Sequence, residues 1–293
     1  MENNLSKIIH GHWRLDEWKL TSQELLYLTE QCIDLEITSF DHADIYGNYS
    51  CEKIFGEALA LKKELRKDIQ IISKCGIGML SDKYPNRKVP HYNYSYNNII
   101  DSVENSLKNF GTDYLDVLLL HRPSPFMNPN EIIKVFDSLK SSGKVLNFGL
   151  SNFSPHQFEM LQSYTDIKLI CNQVEISPLC LEHFENGNVD YFLKERIQAL
   201  AWSPLAGGRL FHPKTKKEQR VIENIKQVAE ELNEESIDKV IYQWIYKHPL
   251  GIIPIVGSGK IERIKAAKEA QGLNMSLEQW FHIYTASKGE PLP

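Results

Sequence analysis

Short apolar runs alternate along the chain with longer segments in which apolar side chains recur every three or four positions. The runs have the length of β-strands, and the periodic segments have the spacing of amphipathic helices. Eight runs are predicted to be strands: residues 8–13, a run ending at Asp41, a run ending at Lys74, and residues 114–120, 144–150, 169–175, 197–202 and 251–256.

Residues typical of helix ends support the prediction that the segments between these strands are helices. Thr21 and Glu24 have the spacing of a capping box, and so do Ser276 and Gln279. Gly111 is placed to end a helix in the left-handed conformation. Residues 76–96, by contrast, carry prolines and several tyrosines without a period, so we expect a long irregular loop there.

The alternation of strand and helix predicts an α/β fold. Strands separated by helices form parallel sheets, and eight such units in 293 residues favour a single (β/α)₈ TIM barrel. No G-x-G-x-x-G sequence follows the first strand, which argues against a Rossmann fold. The prediction is one barrel domain over residues 1–293, with extra helices that include one at the C-terminus.

Composition and charge narrow the functional classes. The net charge of -5 and the scattered basic residues argue against a nucleic-acid partner. The start lacks the apolar core of a signal peptide, and no run approaches the ~18 apolar residues of a membrane span. The five cysteines are widely spaced and contain no C-x-x-C pair, which indicates reduced thiols and no metal site. We expect a cytoplasmic protein that is a monomer or a weak homo-oligomer.

Ionisable residues stand at the ends of three consecutive predicted strands. Asp41 and Tyr46 follow the second strand, Lys74 ends the third and His121 follows the fourth. In a barrel these strand ends meet at one rim, where barrel enzymes have their active sites. A phenol with the ordinary pKa of ~10 is a poor proton donor unless a cation lies beside it, and Lys74 is a candidate. Each residue alone has an ordinary structural explanation; together they predict one polar site.

Seven short patterns, in order along nearly the whole chain, resemble the aldo-keto reductase family of the bacterial type. They are Asp41-x-Ala43-x-x-Tyr46-Gly47, Ser73-Lys74, Leu120-His121-x-Pro123, Gly149-x-Ser151-Asn152, Asn172-Gln173, Trp202-Ser203-Pro204-Leu205 and Gly257-Ser258-x-Lys260-x-x-Arg263. The resemblance implies NADPH-dependent reduction of a small aldehyde or ketone. It also implies that Tyr46 donates the proton, that Lys74, paired with Asp41, lowers the pKa of Tyr46, and that His121 orients the carbonyl.

The same resemblance implies a set of contacts to NADPH or NADP⁺. Some would bind the carboxamide or stack on the nicotinamide, a loop would lie against the pyrophosphate, and a basic helix start would favour NADPH over NADH. The expected set is Gly11, His12, Trp13, Ser151, Asn152, Gln173, Trp202, Ser203, Pro204, Leu205, Gly207, Arg209, Ser258, Lys260 and Arg263.

The sequence also departs from the family pattern and leaves alternatives open. His12 stands where a small hydroxylated residue is common, and Arg122 where many relatives carry tryptophan. The substrate is not identified, although residues 76–96, 122–128 and 289–293 are expected to shape its pocket. One alternative uses Lys74 as a Schiff-base nucleophile, which needs an uncharged amine. The other is an NADPH-binding redox sensor or regulatory subunit with little turnover.

Overall fold

The computed structural model describes residues 5–292, and the strands in this part of the chain fall close to the predicted positions. They are β1 (Ile9–Gly11), β2 (Ser39–Asp41), β3 (Gln70–Cys75), β4 (Ile77–Gly78), β5 (His91–Tyr92), β6 (Leu115–Leu120), β7 (Val145–Ser151), β8 (Leu169–Glu175), β9 (Gln198–Trp202) and β10 (Ile253–Val256). Eight of these form a closed barrel in the order β1-β10-β9-β8-β7-β6-β3-β2. The predicted TIM-barrel fold is therefore confirmed.

Helices follow the barrel strands along the chain. They are α1 (Ser22–Asp34), α2 (Tyr46–Tyr49), α3 (Cys51–Leu59), α4 (Tyr96–Phe110), α5 (Pro129–Ser141), α6 (Pro155–Gln162), α7 (Glu182–Glu185), α8 (Asn188–Glu195), α9 (Lys216–Glu231), α10 (Ile237–Tyr246), α11 (Ile261–Glu269) and α12 (Leu277–Lys288). The extra C-terminal helix, α12, is present as predicted.

The helix-end signals read from the sequence are confirmed. Thr21 caps α1 in a capping box with Glu24, and Ser276 does the same for α12 with Gln279. Gly111 ends α4 in the left-handed conformation, with φ of 65°. These local contacts satisfy backbone groups that the helix itself leaves unpaired, which is why short sequence patterns predict them well.

Two compact units can be distinguished, and each has its own apolar core. The first comprises residues up to 172 together with 257–259. In it, Phe40 of β2 packs on Phe55 of α3, and Phe136 of α5 stacks on Phe148 of β7 with ring centroids 4.1 Å apart. These buried rings hold the helices against the strands that carry the predicted site.

The second unit comprises residues 173–256 and the described residues from 260 onward. Its core contains a stacked pair, Trp244 of α10 and Trp280 of α12, with ring centroids 5.1 Å apart. Each indole N–H donates to the backbone carbonyl of the other residue, so both buried polar groups are satisfied. The C-terminal helix is thereby fixed in place.

The segment after β3 differs from the prediction. Residues 76–96 are not wholly irregular, because β4 and β5 form a two-stranded antiparallel sheet in which Ile77 lies opposite Tyr92. The two strands are only two residues long and lie twelve residues apart, so neither leaves an alternating pattern in the sequence. No helix in the described part of the chain is both long and apolar enough to cross a membrane.

Candidate active site

The register of the parallel strands explains why distant ionisable residues meet. Asp41 of β2 lies opposite Ile72 of β3, and Lys74 is two residues further along the same strand. Residues two apart on a strand point to the same face, so the Asp41 and Lys74 side chains project from one side of the sheet. The next strand, β6, runs parallel to β3 and ends immediately before His121. The strand ends therefore gather these groups at one rim.

Lys74 and Asp41 form a buried ion pair at this rim. The Lys74 ammonium donates to both carboxylate oxygens of Asp41 at 2.8 Å and to the His42 carbonyl oxygen at 2.6 Å. Lys74 is 1% exposed and Asp41 3%, so water screens the pair little. The predicted salt bridge is present in the structure.

The Tyr46 hydroxyl oxygen is the fourth acceptor atom around this ammonium. The Lys74 Nζ lies 3.1 Å from the phenol oxygen. Because an ammonium can only donate, the phenol oxygen accepts at this contact and its own proton points elsewhere. Tyr46 therefore has a proton to give and a cation beside the oxygen that would lose it.

The pKa of Tyr46 corrects one expectation. Burial raises the pKa of the phenol above its ordinary value; Lys74 lowers it and Asp41 raises it again, and the net shift is upward. Lys74 thus acts in the expected direction but does not make the phenol more acidic than a free tyrosine. The sequence showed the cation and not the depth of burial, which is the larger effect. Tyr46 stays protonated at neutral pH.

Lys74 itself stays charged. Burial lowers the pKa of its amine, but attraction to Asp41 and Tyr46 outweighs burial, so the pKa lies above the ordinary value. A Schiff-base lysine must be uncharged to attack a carbonyl. The surroundings of Lys74 therefore oppose that alternative.

His121 lies beside the phenol as a neutral imidazole. Its ring meets the Tyr46 ring edge-on, with centroids 5.8 Å apart. Burial, followed by the charges of Lys74 and Arg122, holds the pKa of His121 well below its usual value. Its Nδ1 is buried without a hydrogen-bond partner. A neutral imidazole here can donate a hydrogen bond without adding a second cation next to Lys74.

Ser151 and Asn152 adjoin the same rim at the end of β7. The Asn152 amide donates to the His121 carbonyl oxygen at 3.2 Å and to Ser151 Oγ at 2.8 Å. Asn152 is in the left-handed conformation, with φ of 65°, which is uncommon for residues other than glycine. The structure thus brings these two expected cofactor residues to the backbone of a predicted catalytic residue.

The structure places His12, at the end of β1, inside the core. Its ring is fully buried beside Phe40, Phe55 and Trp18, and its Nδ1 lies 3.0 Å from His42 Nε2. The ring therefore packs in the core, and the expected contact of His12 with a cofactor stays a prediction. Trp13, in contrast, is 58% exposed and could contact one.

The second unit holds the expected residues of β8, β9 and the loop that follows β9. Gln173 is buried and Trp202 is half-buried. In the loop, Ser203, Ala206, Gly207 and Gly208 all have positive φ. Both glycines face open space, so the backbone there is accessible to a ligand. Pro204, Leu205 and Arg209 belong to the same loop, and the Arg209 guanidinium lies 3.7 Å from a carboxylate oxygen of Glu218.

The start of α11 has the chemistry of a phosphate site. Lys260 precedes the helix and no side chain caps it, so the backbone N–H groups of its first turn are not taken by a cap. Lys260 and Arg263 are both exposed. An uncapped helix start with two cations suits a phosphate. Ser258, in the first unit, is buried, and its carbonyl oxygen pairs with the His10 ring.

The sequence patterns do not single out three polar residues near Tyr46, namely Asp44, Tyr49 and Arg87. Asp44 falls at a variable position of the pattern around Tyr46. A carboxyl group three residues after the end of a buried strand was the only available signal. Tyr49 and Arg87 interact through the phenol and the guanidinium at 2.6 Å, a contact between distant residues that no local pattern predicts. Among the described residues, no cluster of side chains could hold a metal ion.

Comparisons with known proteins agree with this geometry. A sequence model of the Aldo/keto reductase family matches residues 7–287. The chain is 50% identical to the uncharacterized oxidoreductase YcsN of Bacillus subtilis, over 98% of this chain and 96% of that protein. It is 37% identical to a 6-dehydroglucose reductase of Agrobacterium fabrum, over 98% and 95% of the two chains.

A solved structure supports the fold independently. The crystal structure of the thermostable aldo-keto reductase Tm1743, in complex with the inhibitor epalrestat, superposes with a TM-score of 0.79. The match covers 96% of this chain and 95% of that one, at 20% sequence identity. At that identity the likeness shows a shared barrel and nothing about the substrate.

Proposed function

The chain belongs to the aldo/keto reductase family, and from that premise we propose that it reduces an aldehyde or ketone to an alcohol with NADPH, with Tyr46 as the proton donor. That it is an oxidoreductase follows from the family and from its relatives. The proton donor and the preference for NADPH are the specific parts of the proposal.

One observation carries the assignment of Tyr46. Its oxygen accepts a hydrogen bond from a buried ammonium at 3.1 Å, while its own proton is directed elsewhere. When that proton leaves, the phenolate is held by a cation that Asp41 has already fixed in place. Burial raises the pKa of the phenol, so Tyr46 keeps its proton until negative charge develops on the carbonyl oxygen.

In the proposed reaction, four side chains each have a separate role. A bound nicotinamide would supply the hydride. Tyr46 protonates the carbonyl oxygen as negative charge develops there, and such positioned proton transfer typically contributes ~10² to 10⁴-fold. Neutral His121 donates a hydrogen bond that orients the carbonyl, and Lys74 stabilises the charge left on Tyr46. Asp41 keeps Lys74 charged and in position.

The residues present fit the proposed cofactor. Ser151 and Asn152 adjoin His121 and offer hydroxyl and amide groups that suit a carboxamide. In the second unit, the open backbone at Gly207 and Gly208 suits a pyrophosphate. The uncapped start of α11 with Arg263 suits a further phosphate, which NADPH has and NADH lacks.

The direct test is a panel of carbonyl compounds assayed by consumption of NADPH. The panel should contain aliphatic aldehydes, aromatic aldehydes, dicarbonyls and 6-dehydroglucose, because two relatives are named 6-dehydroglucose reductases. We expect turnover with at least one class. Tight NADPH binding without turnover on any member would instead support the redox-sensor alternative.

A further inference from the structure

Tyr94 lies just after the small sheet of β4 and β5 and packs against the end of the strand that carries Lys74. The Asn93 backbone N–H donates to the carbonyl oxygen of Gly76 at 2.8 Å, and Gly76 directly follows β3. A Cβ atom added at Gly76 would lie 2.0 Å from Cε1 of the Tyr94 ring. The ring, which is 6% exposed, therefore lies closer to this backbone than a residue with a side chain would allow.

The Tyr94 hydroxyl binds both polar backbone groups of Arg122. It donates to the Arg122 carbonyl oxygen at 2.6 Å and accepts from the Arg122 backbone N–H at 3.1 Å. A phenol can do both at once because its oxygen carries a proton and also accepts. Burial raises the pKa of Tyr94, so the hydroxyl keeps the proton that it donates. One side-chain oxygen thus fixes the peptide groups on both sides of Arg122.

This contact lies where the strand pairing beside His121 ends. The His121 backbone N–H donates to the carbonyl oxygen of Cys75, the last residue of β3, at 3.0 Å. The next residue, Gly76, has φ of 104°, so the chain leaves the strand conformation there. The Tyr94 hydroxyl then pairs with the backbone of Arg122 in the way that a neighbouring strand would.

The backbone matters for the His121 ring because one ring nitrogen does not hold it. Nδ1 is buried without a hydrogen-bond partner, although such a partner commonly fixes the tautomer and the orientation of a histidine ring. The His121 carbonyl oxygen is held by the Asn152 amide at 3.2 Å. The orientation in which the ring meets Tyr46 therefore depends on the peptide groups around His121, and Tyr94 fixes those that follow it.

We propose that Tyr94 is a positioning residue, whose hydroxyl sets the orientation of the His121 ring by binding the backbone of Arg122. It acts through this backbone and not through the arginine side chain, which is exposed. Without the hydroxyl, the peptide after His121 is free to rotate, and the ring moves out of line with the substrate carbonyl. The effect on the ring stands by itself, whereas the effect on turnover rests on the proposed reductase function.

Hydrogen exchange followed by NMR tests the backbone contact. Tyr94→Phe removes the hydroxyl and keeps the ring that packs on Gly76, and Tyr164→Phe, at a tyrosine that is 48% exposed, is the matched control. The Arg122 amide should exchange several-fold faster in Tyr94→Phe than in the wild-type protein, whereas the His121 amide should change less. Tyr164→Phe should match the wild-type protein at both amides. An Arg122 amide that is equally protected in Tyr94→Phe overturns the proposal.

Nitrogen NMR spectra of labelled histidine rings test the effect on His121. The ring should show one neutral tautomer in the wild-type protein, and broadened or doubled signals in Tyr94→Phe. Arg122→Ala keeps the backbone groups and should match the wild-type spectrum. Two ring populations in the wild-type protein, or unchanged ring signals in Tyr94→Phe, overturn the proposal. The same doubling in Arg122→Ala also overturns it, because the arginine side chain would then hold the ring.

Steady-state kinetics tests the consequence for the reaction. In Tyr94→Phe, kcat/KM for a carbonyl substrate should fall about 10- to 10²-fold, the cost of a misplaced catalytic group, while the affinity for NADPH stays unchanged. Tyr164→Phe should match the wild-type protein in both measurements. Unchanged kcat/KM in Tyr94→Phe overturns the proposed role in the reaction. Absence of turnover by the wild-type protein with every carbonyl overturns the reductase function instead, and the exchange and ring spectra then still decide whether Tyr94 orients His121.

Discussion

Lys74 and Asp41 form the buried ion pair of the candidate site, and the proposed chemistry depends on it as well as the stability. Both side chains are nearly inaccessible to water, and the ammonium also reaches Tyr46. Removing one member of a buried ion pair leaves the other charge uncompensated and destabilises the fold strongly. Removing both charges destabilises the fold far less. The two roles can therefore be separated by mutation.

Lys74→Met should lower the free energy of unfolding by about 3–5 kcal/mol, because Asp41 is left charged and buried. The double variant Lys74→Met with Asp41→Asn should recover most of that stability and none of the turnover. Urea unfolding and carbonyl reduction measured on the three proteins check this. A double variant that regains activity along with stability would show that Lys74 acts only by holding the fold.

Arg263 should control the choice of cofactor. Arg263→Ala is expected to weaken NADPH binding by about 1–3 kcal/mol, the value of hydrogen bonds to a charged group, and to leave NADH binding almost unchanged. Lys265→Ala, an exposed lysine on the same helix, is the matched control. Fluorescence titration with NADPH and with NADH measures the two affinities. Equal affinity of the wild-type protein for the two would contradict the assignment of NADPH.

Some features of single residues follow from local strand geometry and could be predicted from the sequence. Others depend on packing by distant residues and could not. The position of Asp41 and Lys74 at one rim could be predicted because regular strand geometry places both there, and the family resemblance implied that they pair. The burial of His12 could not be predicted, because the sequence does not show on which side of the strand its ring packs. The upward shift in the pKa of Tyr46 also depends on burial by distant residues, which a pattern of neighbours does not contain.

At the level of elements, α3 and α4 pack so closely at Gly56 that a methyl group has no room there. A Cβ atom added at Gly56 of α3 would lie 1.9 Å from the Asn109 carbonyl oxygen of α4. That atom belongs to the backbone and cannot rotate away, so only a hydrogen fits there. Because α3 starts two residues after Tyr49, the packing of these helices also constrains the segment that carries Tyr46.

Gly56→Ala should therefore reduce the free energy of unfolding by about 1–3 kcal/mol, the usual cost of overpacking. Gly272→Ala is the control, because nothing lies near its added Cβ and its φ is not positive; its effect should stay within about 0.5 kcal/mol. Urea unfolding of the two variants checks the difference. Equal stability would mean that the helices separate without cost.

Elements with local signals were predicted well, and those that depend on distant contacts were not. The capping boxes of α1 and α12 and the glycine at the end of α4 each occupy a few adjacent residues. The hairpin of β4 and β5 was missed because its two strands pair across a long loop. The capping box of Thr215 and Glu218 at α9 has the same local signal and was overlooked.

At the level of the whole molecule, four buried histidines of the first unit bear on stability in acid. Burial lowers the pKa of His10 to about 4 and holds those of His12, His42 and His121 well below the ordinary value. In the unfolded chain each titrates near the ordinary pKa of ~6.5, so below that pH the unfolded state binds more protons. These groups therefore stabilise the fold above about pH 6.5 and lose that contribution as the pH falls.

The His12→Gln variant removes one of these four titrating groups. Below the ordinary histidine pKa, the free energy of unfolding of the variant should depend on pH less steeply than that of the wild-type protein, by about 1.4 kcal/mol per pH unit. Burial raises the pKa of Asp44, so this carboxyl titrates in the opposite sense, but it does so in both proteins and cancels in the comparison. Urea unfolding at several acidic pH values provides the slopes; parallel slopes would show that His12 already binds its proton in the folded state.

The most direct test of the whole account compares Tyr46→Phe with Tyr27→Phe, a change at an exposed tyrosine. With a carbonyl substrate from the panel, Tyr46→Phe should turn over at least ~10²-fold more slowly while binding NADPH with unchanged affinity, because only the proton donor is lost. Tyr27→Phe should match the wild-type protein in both measurements. Full turnover by Tyr46→Phe would contradict the account, because the reaction would then not need the phenol proton.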